Sequence, residues 1–209
     1  MALELKAPVP RSLNIGRSSI FQTIRMKTSV RFAGMGGQGI IFAGMVLARA
    51  ASLHERTDGK EAFAIQTQSY GPAARGESSK CDVIISDQRT FYPFIDRPDF
   101  LVLMSQPAYE GFIESAKPST IVILDSEGVE SRPELTYYDI PALRRAEELG
   151  SRGAANMIML GALIQISGLI SLESAIKAVS ELSPSGMLEG NEKALREGYH
   201  QGKLFQTEG

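Results

Sequence analysis

The chain has 209 residues, of which 43% are hydrophobic and 22% charged, a composition typical of a globular protein of about one domain. Lys and Arg together number 22 against 24 Asp and Glu, which gives a net charge of −2. This balance leaves no excess positive charge to bind nucleic acid or an anionic membrane. The composition therefore disfavours disorder, nucleic-acid binding and membrane association.

Cysteine and histidine content limits the chemistry further. With a single cysteine, Cys81, the chain can form no internal disulfide and cannot hold an iron–sulfur cluster alone, because such clusters need several thiolates. His54 and His200 lie in no spaced ligand motif, so we predict no metal site. Cys81 is interpreted as a packing thiol, and its being alone fits a cytoplasmic protein.

The N-terminal segment differs from the rest. Residues 1–27 carry five basic residues and one acidic residue, without the long apolar core of a secretion signal. This segment is either a basic transit segment or an extension ahead of a start at Met26, and we favour the extension. We expect one domain over residues 28–203 and a frayed tail over residues 204–209.

The predicted elements alternate between strands and helices. Residues 29–33 form a strand, residues 40–52 an apolar helix and residues 61–66 a second strand, followed by a polar loop over residues 67–79. The runs at residues 81–86, 100–104 and 120–124 are rich in Val, Ile and Leu, as in parallel strands covered on both faces. We therefore predict an α/β fold, a Rossmann-like three-layer sandwich with a largely parallel sheet and helices on both faces.

The remaining elements are helical. After Pro141 a helix runs to residue 149, and the next, residues 154–166, is apolar all round except for Asn156, which we interpret as its cap or a contact to another subunit. A clean apolar stripe predicts a helix over residues 172–182, with Ser171 as its cap. A last helix is predicted over residues 191–200.

A glycine motif stands between the first strand and the first helix. Its spacing is GxGxxG, and the residues predicted to contact a ligand are Gly34, Gly36, Gly37, Gln38 and Gly39. Glycines there permit a tight turn and a close approach of phosphate, while the helix start supplies free N–H groups. The motif predicts an anion site, although spacing alone fits an ordinary turn equally well.

A nicotinamide dinucleotide would need one more feature, an acidic residue at the end of the second strand to bind the ribose hydroxyls. That strand ends instead in Gln66, Thr67 and Gln68. A free-standing NAD(P)-dependent oxidoreductase is therefore the weaker alternative.

The polar loop after the second strand should lie near the glycine motif, because ligands of open sheets bind beyond the carboxyl ends of strands. From it we predict that Tyr70, Gly71, Arg75 and Gly76 contact the ligand, with Arg75 gripping an anion through two parallel hydrogen bonds. Four residues would end other strands at the same crevice, or simply form turns: Ser105, Gln106, Asp125 and Ser126.

Catalytic motifs are missing from the sequence. It contains no GxSxG elbow, no GxxxxGK[ST] phosphate loop, no HExxH and no paired cysteine motif. An anion-ready crevice without a nucleophile or redox centre is typical of a binding subunit within a larger enzyme, so we predict no catalytic residue.

Several sequence blocks occur together in a distinctive order. They are GMGGQG at residues 34–39, QSYGP at 68–72 with Arg75 and Gly76, ISD at 85–87, ANM at 155–157 and LGA at 160–162. In this combination the chain resembles the gamma subunit of 2-oxoacid:ferredoxin oxidoreductases, from about residue 26 to residue 182.

The resemblance implies a complex that oxidatively decarboxylates a 2-oxoacid with coenzyme A and reduces ferredoxin. It implies thiamine diphosphate on the alpha and beta chains and iron–sulfur clusters on the beta chain or a ferredoxin-like delta chain. Coenzyme A and subunit contacts are implied at the gamma chain. The blocks at 68–72 and 85–87, with Tyr92 and Pro93, look more like the 2-oxoglutarate members. The remaining alternative is a purely structural assembly subunit.

Overall fold

A mixed β-sheet organises the chain, of which the computed structural model describes residues 27–57, 60–69, 78–132 and 137–207. The strands in these ranges are β1 (Thr28–Met35), β2 (Arg56–Thr57), β3 (Lys60–Glu61), β4 (Phe63–Ser69), β5 (Ser78–Ser86), β6 (Phe100–Leu103), β7 (Ile121–Asp125) and β8 (Tyr138–Ile140). The α-helices in the same ranges are α1 (Ile40–Arg49), α2 (Gln106–Phe112), α3 (Ala142–Glu148), α4 (Ala155–Ser167), α5 (Leu172–Leu182) and α6 (Leu188–Thr207).

The main sheet has the strand order β4-β5-β1-β6-β7-β8 within the described ranges, and β2 pairs with β3 apart from it. Strands β1, β6, β7 and β8 are parallel, whereas β5 is antiparallel to both β1 and β4. The predicted α/β fold with a largely parallel sheet is confirmed, with β5 as the exception. An apolar run of residues indicates that a strand is buried on both faces, but it does not indicate the direction in which the strand runs. The segment between β4 and β5 is too short for the crossover connection that two parallel neighbouring strands need.

Helices cover both faces of the sheet. On one face α1, α4 and α5 pack against Phe32, Val102 and Ile123. On the other face α2 packs against Ala33, Leu103 and Leu124. The alternation of these side chains along each strand separates the two cores and produces the three predicted layers.

Helix α4 lies in the centre of the larger core, as its apolar sequence predicts, and α6 packs along it. The two helices approach so closely that a Cβ at Gly198 would overlap the carbonyl group of Ile158, and a Cβ at Gly161 would overlap that of Leu195. Only glycine leaves room for backbone against backbone at these two positions.

Helix α6 is longer than the predicted 191–200 and includes residues 204–207, the first part of the segment expected to be a frayed tail. The Phe205 ring packs edge-on against Tyr138, with the ring centroids 5.5 Å apart. This contact to β8 gives the last turns a packing partner that the polar sequence of the helix does not reveal. The predicted cap of α5 is confirmed, because the Ser171 hydroxyl accepts a hydrogen bond from the N–H of Ser174 at 3.1 Å.

Two absences apply to the described part of the chain. No helix in it is both long and apolar enough to cross a lipid bilayer. The same residues contain no cluster of three or more His, Cys, Asp or Glu side chains that could bind a metal ion.

Candidate anion-binding site

The glycine motif forms the turn between β1 and α1, as predicted. Gly36 and Gly37 are exposed at its tip, and among the described residues no heavy atom lies within 4 Å of where a Cβ would be at either position. Gly37 has a φ of 91° and Gly39 a φ of 74°, the left-handed conformation that favours glycine. The tip of the turn is therefore open to an approaching ligand.

Helix α1 begins directly behind this tip. Gly39 is its N-cap residue and, among the described residues, no side chain caps it. The first N–H groups of a helix have no acceptor within the helix, and the helix dipole places positive potential there. An anion at the turn would meet both, as in many phosphate sites.

Gln38 braces the turn from inside. Its Oε1 accepts a hydrogen bond from the N–H of Met35 at 2.6 Å, and its Nε2 donates to the carbonyl of Met104 at 2.9 Å. Gly34 lies buried beneath it, where a Cβ would come within 2.6 Å of Gln38 Oε1. The structure thus brings the five predicted glycine-loop residues together, with Gly34 and Gln38 shaping the turn and Gly36 and Gly37 facing outward.

Asn156 contacts the turn from α4. Its Nδ2 donates to the carbonyl oxygen of Gly39 at 2.9 Å, and its Oδ1 accepts from the N–H of Met157 at 2.9 Å. The N-cap residue of α4 is Ala154, so the expected cap at Asn156 is wrong, and within this chain its amide binds the glycine turn. The first turns of α4 and α1 therefore meet at this point.

The sequence contained a signal for this contact. Asn156 is a polar residue near the start of a largely apolar helix, and it is only 4% exposed. A buried amide must find hydrogen-bond partners, so an amide inside an apolar stretch of helix indicates a specific contact elsewhere in the fold. Its position gives no indication of which group is the partner.

The four residues predicted from the second polar loop, Tyr70, Gly71, Arg75 and Gly76, lie outside the described residues, so their ligand contacts stay a prediction. The strand ends that flank them are described. Ser78 lies opposite Met35 at the end of β1, and Ser69 lies opposite Lys80 of β5. Both ends are thus at the edge of the sheet that carries the glycine turn.

The four polar residues that end other strands form turns and caps. Ser105 caps α2 by accepting a hydrogen bond from Ala108, Gln106 accepts one from the N–H of Glu130, and the N–H of Ser126 donates to Ile140. Asp125 accepts from the N–H groups of Leu143 and Glu127. Burial raises the pKa of Asp125 above its ordinary value, although these backbone hydrogen bonds oppose the rise. Each of the four therefore makes at least one hydrogen bond within the fold.

The sheet order bears on the dinucleotide alternative. In dinucleotide-binding folds the first strand lies beside a parallel second strand whose end carries the ribose-binding acid. Here β1 lies between β5, which runs the other way, and β6. The residues of β5 nearest the glycine turn are Ser78 and Ser79, opposite Met35 and Gly34. Neither neighbour of β1 places a carboxylate beside the turn within the described strands.

A buried ion pair lies below this edge and was missed from the sequence. Arg31 of β1 binds Asp82 of β5 through two hydrogen bonds of 2.7 and 2.8 Å, and each side chain is 4% exposed. Arg31 donates a third hydrogen bond to the carbonyl oxygen of Ile95 at 2.6 Å. The signal was a charged residue inside each of two strands predicted to be buried, because buried charges require partners.

Cys81 is a packing thiol, as predicted. It is fully buried, its Sγ accepts a hydrogen bond from Gln66 Nε2 at 3.2 Å, and it fills the space beside Gly44. Burial, with a smaller contribution from the Asp82 charge, raises the pKa of the Cys81 thiol to about 11, although the Gln66 hydrogen bond lowers it. A thiol with this pKa is largely protonated at neutral pH and is a poor nucleophile.

Comparison with known proteins extends over nearly the whole fold. The 2-oxoglutarate synthase subunit KorC of Methanocaldococcus jannaschii is 43% identical over 185 residues, which cover 86% of this chain and 96% of the relative. The pyruvate synthase subunit PorC of Methanothermobacter thermautotrophicus is 30% identical over 176 residues, covering 82% and 94% respectively.

A solved structure and a family model agree with these relatives. The gamma subunit of keto/oxoacid ferredoxin oxidoreductase from Geobacter sulfurreducens superposes with a TM-score of 0.75 at 34% identity, covering 86% of this chain and 98% of that one. The family model for pyruvate ferredoxin/flavodoxin oxidoreductase matches residues 29–201. The resemblance drawn from the sequence blocks is confirmed, and the chain belongs to the pyruvate ferredoxin/flavodoxin oxidoreductase family.

Proposed function

We propose that this chain is the gamma-type subunit of a cytoplasmic 2-oxoacid:ferredoxin oxidoreductase complex that converts 2-oxoglutarate and coenzyme A to succinyl-CoA and carbon dioxide while reducing ferredoxin. The observation that carries this proposal is the near full-length match to a 2-oxoglutarate synthase subunit at 43% identity, against 30% for the pyruvate synthase subunit. Alpha and beta chains, with or without a delta chain, hold the thiamine diphosphate and the iron–sulfur clusters.

The activity is tested on the complex purified from its native source. We expect the chain to co-purify with larger subunits, thiamine diphosphate and iron, and the complex to reduce ferredoxin faster with 2-oxoglutarate than with pyruvate, in a reaction that needs coenzyme A. Mass spectrometry of the intact assembly identifies the partners. Faster turnover of pyruvate would overturn the choice of oxoacid, and elution of the chain alone at 22.7 kDa would overturn the complex.

Within this complex, we propose that the glycine turn binds a phosphate group of coenzyme A. Coenzyme A carries a pyrophosphate and a 3′-phosphate, and both suit free backbone N–H groups at a helix N-terminus. The support is the open tip at Gly36 and Gly37, followed by the uncapped start of α1. Arg75, with Tyr70, Gly71 and Gly76, is proposed to complete the site, because guanidinium groups bind phosphate through two parallel hydrogen bonds.

Gly36→Ala tests the turn. Gly36 does not have a positive φ, and an added Cβ would touch none of the residues that the structure describes, so we expect unchanged thermal stability. The methyl group would keep a phosphate from the backbone, and we expect coenzyme A to bind about tenfold more weakly, a loss of about 1.4 kcal/mol. Calorimetric titration of the complex with coenzyme A measures the change.

A matched control is Gly190→Ala on α6, where the added Cβ would make an ordinary contact 3.5 Å from Ser151 Oγ. This variant should bind coenzyme A as the unaltered chain does. Unchanged coenzyme A affinity in both Gly36→Ala and Arg75→Ala would instead favour a purely structural subunit. Saturable NADH binding that coenzyme A does not displace would favour the NAD(P)-dependent alternative.

A further inference from the structure

We infer that Asn156 is a positioning residue for the glycine turn, fixing the peptide group at the start of α1 so that its N–H faces the ligand. This inference rests on the proposed binding of a coenzyme A phosphate at the turn. It assigns a function in ligand binding to a residue on another helix that the ligand itself need not touch.

The carbonyl oxygen of Gly39 accepts two hydrogen bonds. One comes from the N–H of Ala43 at 3.1 Å and is the first bond of helix α1. The other comes from Asn156 Nδ2 at 2.9 Å, from a residue 117 positions further along the chain. The first bond belongs to any helix, whereas the second ties the start of α1 to a separate element.

A fixed orientation of the Gly39 carbonyl also fixes the orientation of the Ile40 N–H group. The carbonyl of Gly39 and the N–H of Ile40 belong to one peptide group, which is planar and trans, so the two point in opposite directions. With the carbonyl directed toward Ala43 and Asn156, the Ile40 N–H is directed back toward the turn. It is one of the N–H groups that helix geometry leaves without an acceptor.

Asn156 is itself held rigidly. It is 4% exposed, its neighbours Ala155 and Met157 are buried, and its Oδ1 is bound to the N–H of Met157. Its amide also occupies the position that a Cβ at residue 39 would fill, so only glycine fits there on steric as well as conformational grounds. The Asn156 side chain therefore has little freedom to release the carbonyl.

Packing alone would not require an amide here. The residues of α4 around it, from Ala155 to Ile164, are buried and apart from Asn156 apolar, and an amide taken from water into such a place is costly unless it is hydrogen-bonded. A leucine of similar size would fill the same space without that cost. The feature that distinguishes asparagine from leucine at this position is the hydrogen bond to Gly39.

The experiment uses Asn156→Leu, which keeps the volume but loses the donor, and Asn156→Ala as a second variant without added bulk. The control is Ser167→Ala at the opposite end of α4, which removes a buried hydroxyl that accepts from the N–H of Leu169. In the complex without coenzyme A, we expect amide exchange at Ala43 to be about tenfold faster in both Asn156 variants and unchanged in the control. Unchanged exchange at Ala43 would overturn the inference.

The second measurement is turnover by the same variants. We expect the KM for coenzyme A to rise about tenfold, with the KM for 2-oxoglutarate and kcat within about twofold of the unaltered complex. A loss of thermal stability with both KM values unchanged, in a complex whose coenzyme A binding Gly36→Ala does weaken, would show a merely structural residue and overturn the inference. If Ala43 exchange rises while neither the Asn156 variants nor Gly36→Ala changes coenzyme A binding, Asn156 does position the turn but the proposed ligand site is wrong.

Discussion

Asp82→Asn is expected to lower the free energy of unfolding by about 3–5 kcal/mol, because it leaves the buried Arg31 charge without its partner. The two side chains are joined by two hydrogen bonds, and both are almost fully removed from water. Asparagine keeps the shape of the side chain, so the decrease in the free energy of unfolding arises from the lost charge and not from a cavity. Urea unfolding followed by circular dichroism measures it.

A double variant separates the pair from its surroundings. Replacing Arg31 by Met and Asp82 by Leu removes both charges and fills the space with apolar atoms, which is often neutral or stabilising at buried ion pairs. We expect it to recover most of the stability that Asp82→Asn loses. A cost below about 1 kcal/mol for Asp82→Asn would contradict the burial of the pair, because that is the range of solvent-exposed ion pairs.

Gly198→Ala should have the second large effect. The added methyl group would overlap the carbonyl of Ile158, which belongs to the backbone of α4 and cannot rotate away as a side chain can. Overpacking of this kind typically costs about 1–3 kcal/mol, and contacts with rigid backbone lie at the upper end. We expect a lower Tm in calorimetric unfolding, and a shift of α4 in a crystal structure of the variant.

Gly190→Ala on the same helix is the matched control. Its methyl group makes only ordinary contacts, and replacing glycine in a helix should stabilise the chain by about 0.5–1 kcal/mol. Opposite signs for the two substitutions would identify the close helix contact as the cause. Equal stabilisation by both would mean that α4 and α6 lie further apart than described.

Most elements could be predicted because their signals are local. The apolar stripe of α5, the apolar strand runs and the glycine and proline breaks depend only on near neighbours in the sequence. The direction of β5 could not be predicted in this way, because a strand covered on both faces has the same apolar pattern in either direction. The last turns of α6 were missed for a similar reason, because their partner Tyr138 lies far away in the chain.

The candidate site likewise contains residues that local sequence predicts and residues whose contacts depend on tertiary packing. The glycine turn was predicted because a strand, a spaced set of glycines and a helix follow one another directly. Asn156 and the pair of Arg31 with Asp82 were visible only as polar residues in apolar segments. The partner of each is set by tertiary packing, which brings Gly39 to Asn156 across 117 positions and Arg31 to Asp82 across 51.

The two side-chain amides that brace the glycine turn affect how fast a ligand can bind. Gln38 ties the turn to Met104, so the turn loses its conformational entropy when the chain folds. Binding of an anion therefore does not have to order it a second time. Association that needs no rearrangement is limited mainly by diffusion and orientation. Differences in affinity among phosphate-bearing ligands should then arise chiefly from their rates of dissociation.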